Sequence, residues 1–461
     1  MAIRPGIFAT VLVIVAGLSR PGRPEAQSPI RLPRGAQDRA QAGPRAGGGA
    51  GLETLTDAWA IALAVDQRLE AQRWSLSAVG HSLESARAQR WPLVDIEGSY
   101  TGRTAEPAFR FDLGPIPLPT NTFRFAQNED VALRAKADLP LYTSGRISSG
   151  IDAAAAEVTS SQLEVEGFIN DLKLQVGVEY VMVLRAQRDL QVAESTVRSL
   201  ESHTRDVERL FKQGQVPWND VLAAQVALSN ARQEAIQAYN RLDSARAAYN
   251  RRLNRPLSAA VRLAELPPES VREDVERLTA RALHNRPELA HYSSQIRAMH
   301  CQAASLLARN RLQINLRGEY VFEENRFRTP NGIGAVGIGA NWNAFDGGRN
   351  RHQAAALQQR AEGLIRTKRD LQSRIALEVR RAWLDIHETQ RRLKVTSEAI
   401  QRAEENLRVA KKRYALGAAI STEVLDAEAL RTRTYRNHHN ATYDAVLATL
   451  RLHHATGLLK Q

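Results

Sequence analysis

The residues that could do chemistry in this chain are few, and their spacing does not suit them for it. Gly332 to Gly337 read GIGAVG, a dinucleotide-binding spacing. That fingerprint works only where it follows a strand and opens a helix, whose N-terminus then holds the phosphates. Here the glycines enter an alternating, strand-like run. The pairs His438-His439 and His453-His454 are sequence neighbours, whereas ligands on one helix face recur three or four residues apart. Solvated helix positions account for them, so no metal and no cofactor are expected. Cys301 is the sole cysteine; it excludes an intrachain disulfide and reads as an inert, buried or half-buried thiol. Nucleophile-elbow, phosphate-loop and zinc-protease motifs are all missing, which argues against an enzyme.

Charge narrows the classes further. The chain carries 63 basic and 50 acidic residues, net +13. The first 51 residues hold seven Arg against two acids, leaving about +8 for the rest. Lys and Arg alternate with Glu and Asp along helical segments instead of gathering into a patch. Solvated helix faces explain them better than a nucleic-acid surface, which needs clustered charge and stacking aromatics. At the N-terminus, Met1 and Arg4 precede an apolar run from Ile7 to Leu18 that is too short to cross a bilayer. Residues 1–26 read as a secretory signal peptide, with no cysteine nearby for acylation. Residues 27–51, rich in Pro, Gly and Arg, read as a disordered tether.

The elements that must position any function are written twice. Tyr142, Gly145 and Arg146 recur 203 residues on as Phe345, Gly348 and Arg349. At the same offset Val176, Tyr180 and Gln187 meet Val379, Trp383 and Gln390. Phe211, Gly214, Val221, Leu222 and Ala224 likewise meet Tyr414, Gly417, Val424, Leu425 and Ala427. Upstream, Leu69, Ile96, Gly98 and Tyr100 match Leu289, Leu316, Gly318 and Tyr320 at an offset of 220. A period this long excludes a solenoid and implies duplication of a whole unit. The first repeat is expected over 52–266 and the second over 267–461, linked through Pro267 and Pro268.

Within the first copy the spacing predicts one amphipathic helix from Leu55 to Trp91, stopped by Pro92. An alternating strand from Leu93 to Arg103 follows, then a Pro-rich loop from Pro107 to Thr122 and a second strand from Val131 to Leu141. The second copy repeats the strands, with Ile314, Leu316, Tyr320 and Phe322, then Val336, Ile338, Ala340 and Trp342, on the apolar faces. Pro-free runs follow from Arg146 to Gln213 and from Arg349 to Leu416, each about 100 Å long if helical. One apolar stripe runs through Val165, Phe168, Leu172 and Val176. Gly214 and Gly417 end the runs as C-caps, and new helices start at Pro217 and Ser421, the latter capped through Thr422 and the acids after it. Two tight helical hairpins result. Four strands are too few to close a barrel and too exposed for an open sheet. Three chains would supply twelve, with apolar residues toward lipid and polar residues toward the lumen.

On these features the chain resembles the TolC family of outer-membrane efflux proteins. The likeness rests on the duplicated strand exits LPLYTSGR (Leu139 to Arg146) and WNAFDGGR (Trp342 to Arg349), and on the turns RLFKQGQVPWNDVL and KRYALGAAISTEVLDA. It implies a mainly α fold with a small β part. Duplicated helical hairpins would form an α-barrel, and four strands per chain would join a 12-stranded trimeric membrane β-barrel. The implied function is an exit duct for tripartite efflux or type I secretion, passive and gated at the periplasmic tips. Its partners would be a periplasmic adaptor, an inner-membrane pump and outer-membrane lipid. The resemblance places the gate at Tyr414, Glu423 and Asp426, adaptor contacts at Gly214 and Gly417, and lipid-facing residues at Leu133, Leu139, Val336, Ile338 and Trp342. Where the family's gate has an arginine two residues after the glycine, this chain has Ala419, so a tyrosine-arginine latch does not carry over whole.

Glu423 and Asp426 lie three apart on one helix face. Threefold symmetry would crowd six carboxylates, raise their pKa and offer a cation site; acids in a first helical turn also stabilise the macrodipole. The helix from Asp346 to Arg413 holds seventeen basic and nine acidic residues, so a basic face toward the bore would favour anions. Three methionines, counting Met1, weigh against copper shuttling. The alternative is a soluble or periplasmic coiled-coil scaffold without channel activity, which leaves the alternating strands unexplained.

Overall fold

The computed structural model describes residues 52–110, 122–269 and 273–460. The signal-peptide and tether assignments lie outside the described residues. The chain from Leu52 onward is one compact unit.

Two helices open it, α1 (Leu55–Val65) and α2 (Gln67–Ala88), where the sequence pattern predicts one. The break falls at Asp66, in extended conformation, whose carboxylate accepts from the amides of Arg68 and Leu69 and so caps α2. A short polar residue that can serve the orphan amides of a new helix competes with continuing the old one. The second copy breaks at the equivalent point. There Arg286 separates α5 (Val275–Asn285) from α6 (Pro287–Ala308), and the proline at the first helical position does the work of the cap.

The strands are β1 (Leu93–Gly102), β4 (Glu129–Tyr142), β5 (Gln313–Glu323) and β6 (Gly332–Asn341), forming one antiparallel sheet in the order β1-β4-β5-β6. Trp342 falls one residue past β6. The expected Pro-rich loop is flanked by a small hairpin, β2 (Ala108–Arg110) with β3 (Thr122–Arg124); residues 111–121 lie outside the described residues.

Each strand pair delivers the chain into a helix of 67 residues, α3 (Arg146–Lys212) and α7 (Arg349–Ala415). Shorter helices return, α4 (Trp218–Arg252) and α8 (Ser421–Ala455), 35 residues each. The expected cap of α8 is not used. Its N-cap is Ile420 without a side-chain bond, and Ser421 is buried as the first helical residue. Asn254 and Gly457, both left-handed, end the returning helices.

The largest core gathers Leu55, Ala58 and Ala62 of α1 with Leu172, Val176 and Tyr180 of α3 and Val446 and Leu450 of α8. Burying a Leu or Val side chain here contributes about 2 kcal/mol. At Gly177 an added Cβ would stand 3.0 Å from Leu450 Cδ1, so α3 and α8 cross in close contact there. The Tyr180 hydroxyl lies 2.8 and 2.7 Å from the carbonyls of Glu53 and Ala264, tying the start of the described chain to the linker between copies. A second core sets α5 on α7 and α8, through Leu278 and Ala282 against Ile375, Val379 and Leu452.

Candidate functional site

Three places among the described residues could act. The first is the sheet. Register puts Ile96, Ala135, Tyr320 and Gly334 in one cross-strand row, and Val94, Ala137, Gly318 and Val336 in another. Leu139, Leu316 and Ile338 form a third row on the same face, with Leu133 beside Phe322. Since paired residues share a face, that side is apolar throughout; Val336 is 80% and Ile338 72% exposed. The opposite face is ionic across β1, β4 and β5, while β6 gives it Ile333, Ala335, Gly337 and Gly339. Arg134 lies 3.2 Å from Glu319, Lys136 3.8 Å from Glu97 and Arg317 2.8 Å from Asp138. The predicted residues Leu133, Leu139, Val336 and Ile338 thus fall together on one surface. Trp342, exposed, donates its indole N–H to the Asn310 carbonyl at 3.1 Å, at the sheet's helical end.

The second place is the pair of hairpin tips. Gly214 and Gly417 both adopt φ of 70°, where a side chain would be strained. Each is followed by an amide that reaches back five residues, Gln215 to Leu210 and Ala418 to Arg413, both at 2.9 Å. These are Schellman closures. Beneath them Val207, Val221 and Ala224 of the first copy pack with Ala410, Val424 and Ala427, their counterparts in the second. The duplicated residues therefore meet in one small core.

Tyr414 sits in that core, buried, with its ring centroid 5.3 Å from His203. Its hydroxyl makes no hydrogen bond of normal geometry; burial first and the Asp220 charge second push its pKa up, against a weaker pull from the nearby Ser421 hydroxyl. His203 Nε2 lies 3.2 Å from Ser421 Oγ. Burial, then the Lys411 charge, hold that imidazole down at about 4 against a weaker pull from Asp206, so it is neutral at pH 7.

The predicted gate residues do not form one cluster. Tyr414 is interior, whereas Glu423 and Asp426 are exposed on the first turns of α8. An arginine does stand at the tip, at a position the family pattern does not indicate. Arg413 Nη1 lies 3.2 Å from Glu423 Oε2, and its Nη2 donates to the Ala418 carbonyl at 3.0 Å. Just above, Glu428 is 2% exposed. Its two oxygens accept from Arg431 and from Ser199 Oγ, each at 2.6 Å, with Lys411 Nζ 4.0 Å away. This knot is held by charges from α7 and α8 and a hydroxyl from α3, and only the Glu428-Arg431 spacing on one helix hints at it.

The third place lies where α8 ends. His454, expected to be a solvated helix residue, is only 12% exposed and lies 2.8 Å from Asp171 and 3.5 Å from Glu378. Arg286 bonds Glu378 at 2.6 Å. Burial opposes charging His454, but the hydrogen bonds to Asp171 and Glu378 prevail and raise it to about 9. Cys301 is half-buried and free.

A family model described as outer membrane efflux protein matches residues 60–254 and 278–458, one segment in each copy. No curated protein matches by sequence. Solved structures do match in fold. CusC, studied for its transmembrane channel formation, is 17% identical, covering 87% of this chain and 92% of that one, with TM-score 0.75. The outer membrane protein VceC from Vibrio cholerae is 18% identical, with coverages of 87% and 96% and TM-score 0.74. The open-state MtrE outer membrane channel of Neisseria gonorrhoeae is 17% identical, with coverages of 88% and 89% and TM-score 0.70.

Proposed function

The chain belongs to the outer membrane efflux protein family, and on that premise we propose that three copies close a twelve-stranded barrel continued by a helical tunnel. It is an outer-membrane efflux channel; trimerisation, gating and partners are the inferred part. The two-faced sheet is the observation that carries the reading. Its edge strands β1 and β6 have one neighbour each, and unpaired edges demand either a partner or protection. Joining β6 of one copy to β1 of the next leaves no edge. The apolar face, with Leu133, Leu139, Val336 and Ile338, then meets lipid, Trp342 sits at the interface, and the ion-paired face lines the lumen.

In this arrangement residues 52–266 and 267–461 act as pseudo-equivalent repeats. The hairpin tips form the periplasmic end, where Tyr414 braces the hairpin core and Glu423 and Asp426 ring the axis. Gly214 and Gly417 present the tips to the helical hairpins of a periplasmic adaptor, and an inner-membrane pump supplies the energy. The duct is non-enzymatic. The basic excess along α7 favours anions, and a reversal potential showing cation preference would contradict that.

Extraction and native mass test the assembly. The protein should resist a salt wash, need detergent, and run at three times the chain mass. Release by salt as a monomer would favour the coiled-coil scaffold instead.

A further inference from the structure

A groove of about 480 Å³ opens where α3, α7 and α8 meet, level with the end of α8. Its floor is aliphatic, from Leu174, Leu377 and Ala382, and its rim carries Arg381 and Arg451, both exposed. Neither guanidinium has a carboxylate partner among the described residues. The other charges around it are mostly committed. Arg374 pairs with Asp370, while Glu378 is held by Arg286 at 2.6 Å and by His454 at 3.5 Å. Only Asp385 stands unpaired there among the described residues, leaving two free cations against one free anion beside an apolar floor.

Leu174, partly buried, packs against the same core cluster as Leu172 and Val176, so the floor of the groove is anchored in the main core while Leu377 and the two arginines of the rim are exposed.

We propose that the groove is a solute-binding station for amphipathic organic anions on the tunnel wall. A carboxylate or sulfonate bridges Arg381 and Arg451, and its apolar body lies on Leu174, Leu377 and Ala382. Guanidinium forks suit such oxyanions, and an aliphatic floor adds affinity without demanding shape. Its placement in a bore rests on the channel reading; binding itself needs only the groove.

The test is equilibrium dialysis of naphthalenesulfonate against the full-length protein in lipid nanodiscs, with empty nanodiscs as the blank. Saturable binding is expected, with the trimethylammonium analogue of the same ring system failing to bind. Arg381→Gln with Arg451→Gln should weaken binding at least about tenfold, two charge-assisted contacts being lost. Arg381→Lys with Arg451→Lys should restore part of it, which separates loss of charge from loss of fold. No saturable binding, equal binding of the cation, or unchanged binding in the Gln pair would each overturn the site. Conductance of the same preparation is read separately: binding without conductance would contradict the channel reading and leave the site standing.

Discussion

His454 should make this protein's stability fall in mild alkali, and its surroundings set the size of the effect. An unfolded histidine titrates near 6.5, and this one is raised to about 9 against burial, by hydrogen bonds to Asp171 and Glu378. A shift of that size is worth about 3 kcal/mol at most. Asp171 is 58% exposed, so solvent screening reduces its share, and about 2 kcal/mol is the working figure. The sign follows from the raised folded-state value. The native protein binds the proton more tightly than the unfolded chain, so the stabilisation is complete below about pH 6.5 and is lost as pH rises through about 9. With an unfolding entropy of roughly 0.9 kcal/mol/K for a chain of this size, about 2 kcal/mol moves the helical Tm by about 2 °C. The assay compares wild type with His454→Gln by circular dichroism across this range, so that other titrations cancel. The wild-type advantage should shrink steadily between those two pH values. A constant difference, or one that grows with pH, would refute the ion-pair reading.

Other perturbations act at the tips and the sheet. Glu423→Ala with Asp426→Ala should raise channel leak while costing under about 1 kcal/mol, because the Arg413 pair is exposed; unchanged single-channel conductance would remove these carboxylates from the gate. Gly417→Leu forces a side chain into a left-handed position at a cost of about 1–2 kcal/mol, and it should weaken cross-linking of the tip to a periplasmic adaptor, whereas retained cross-linking would place the contact elsewhere. Val336→Arg should cost about 2–4 kcal/mol at mid-membrane and reduce the assembled outer-membrane fraction, so normal assembly would argue against a lipid-facing position. His203, held at about 4 by burial and Lys411, should destabilise the tip as pH falls below about 6.5 toward that value, seen as faster protease cleavage at the hairpins. His203→Gln should abolish that acid sensitivity, and its persistence would point to another group.

The repeat was the most legible feature of the sequence, because duplicated turns keep their glycines and apolar positions at fixed offset. Gly214 with Gly417 and Val221 with Val424 therefore indicated the hairpins, and the structure adds that the paired valines pack together beneath the tips. Strand faces were legible for a similar reason: period-two alternation survives wherever one side meets a different solvent from the other. The break at Asp66 was hidden because the apolar spacing runs on across it, and only the carboxylate's local bonds stop α1. Contacts that join distant segments left no trace in spacing. His454 reads as solvated in the sequence because Asp171 and Glu378 come from other helices, and Arg413 carries no signal there because the family pattern points to position 419, an alanine in this chain. The Glu428 knot draws on Ser199 and Lys411, which only the folded hairpins bring near.

Planar-bilayer recording of protein purified in detergent from outer membranes tests the central claim most directly. A trimer giving small, gated single-channel steps is the predicted result. A monomer or dimer that leaves the bilayer electrically silent would contradict the channel-tunnel account and leave a helical scaffold in its place.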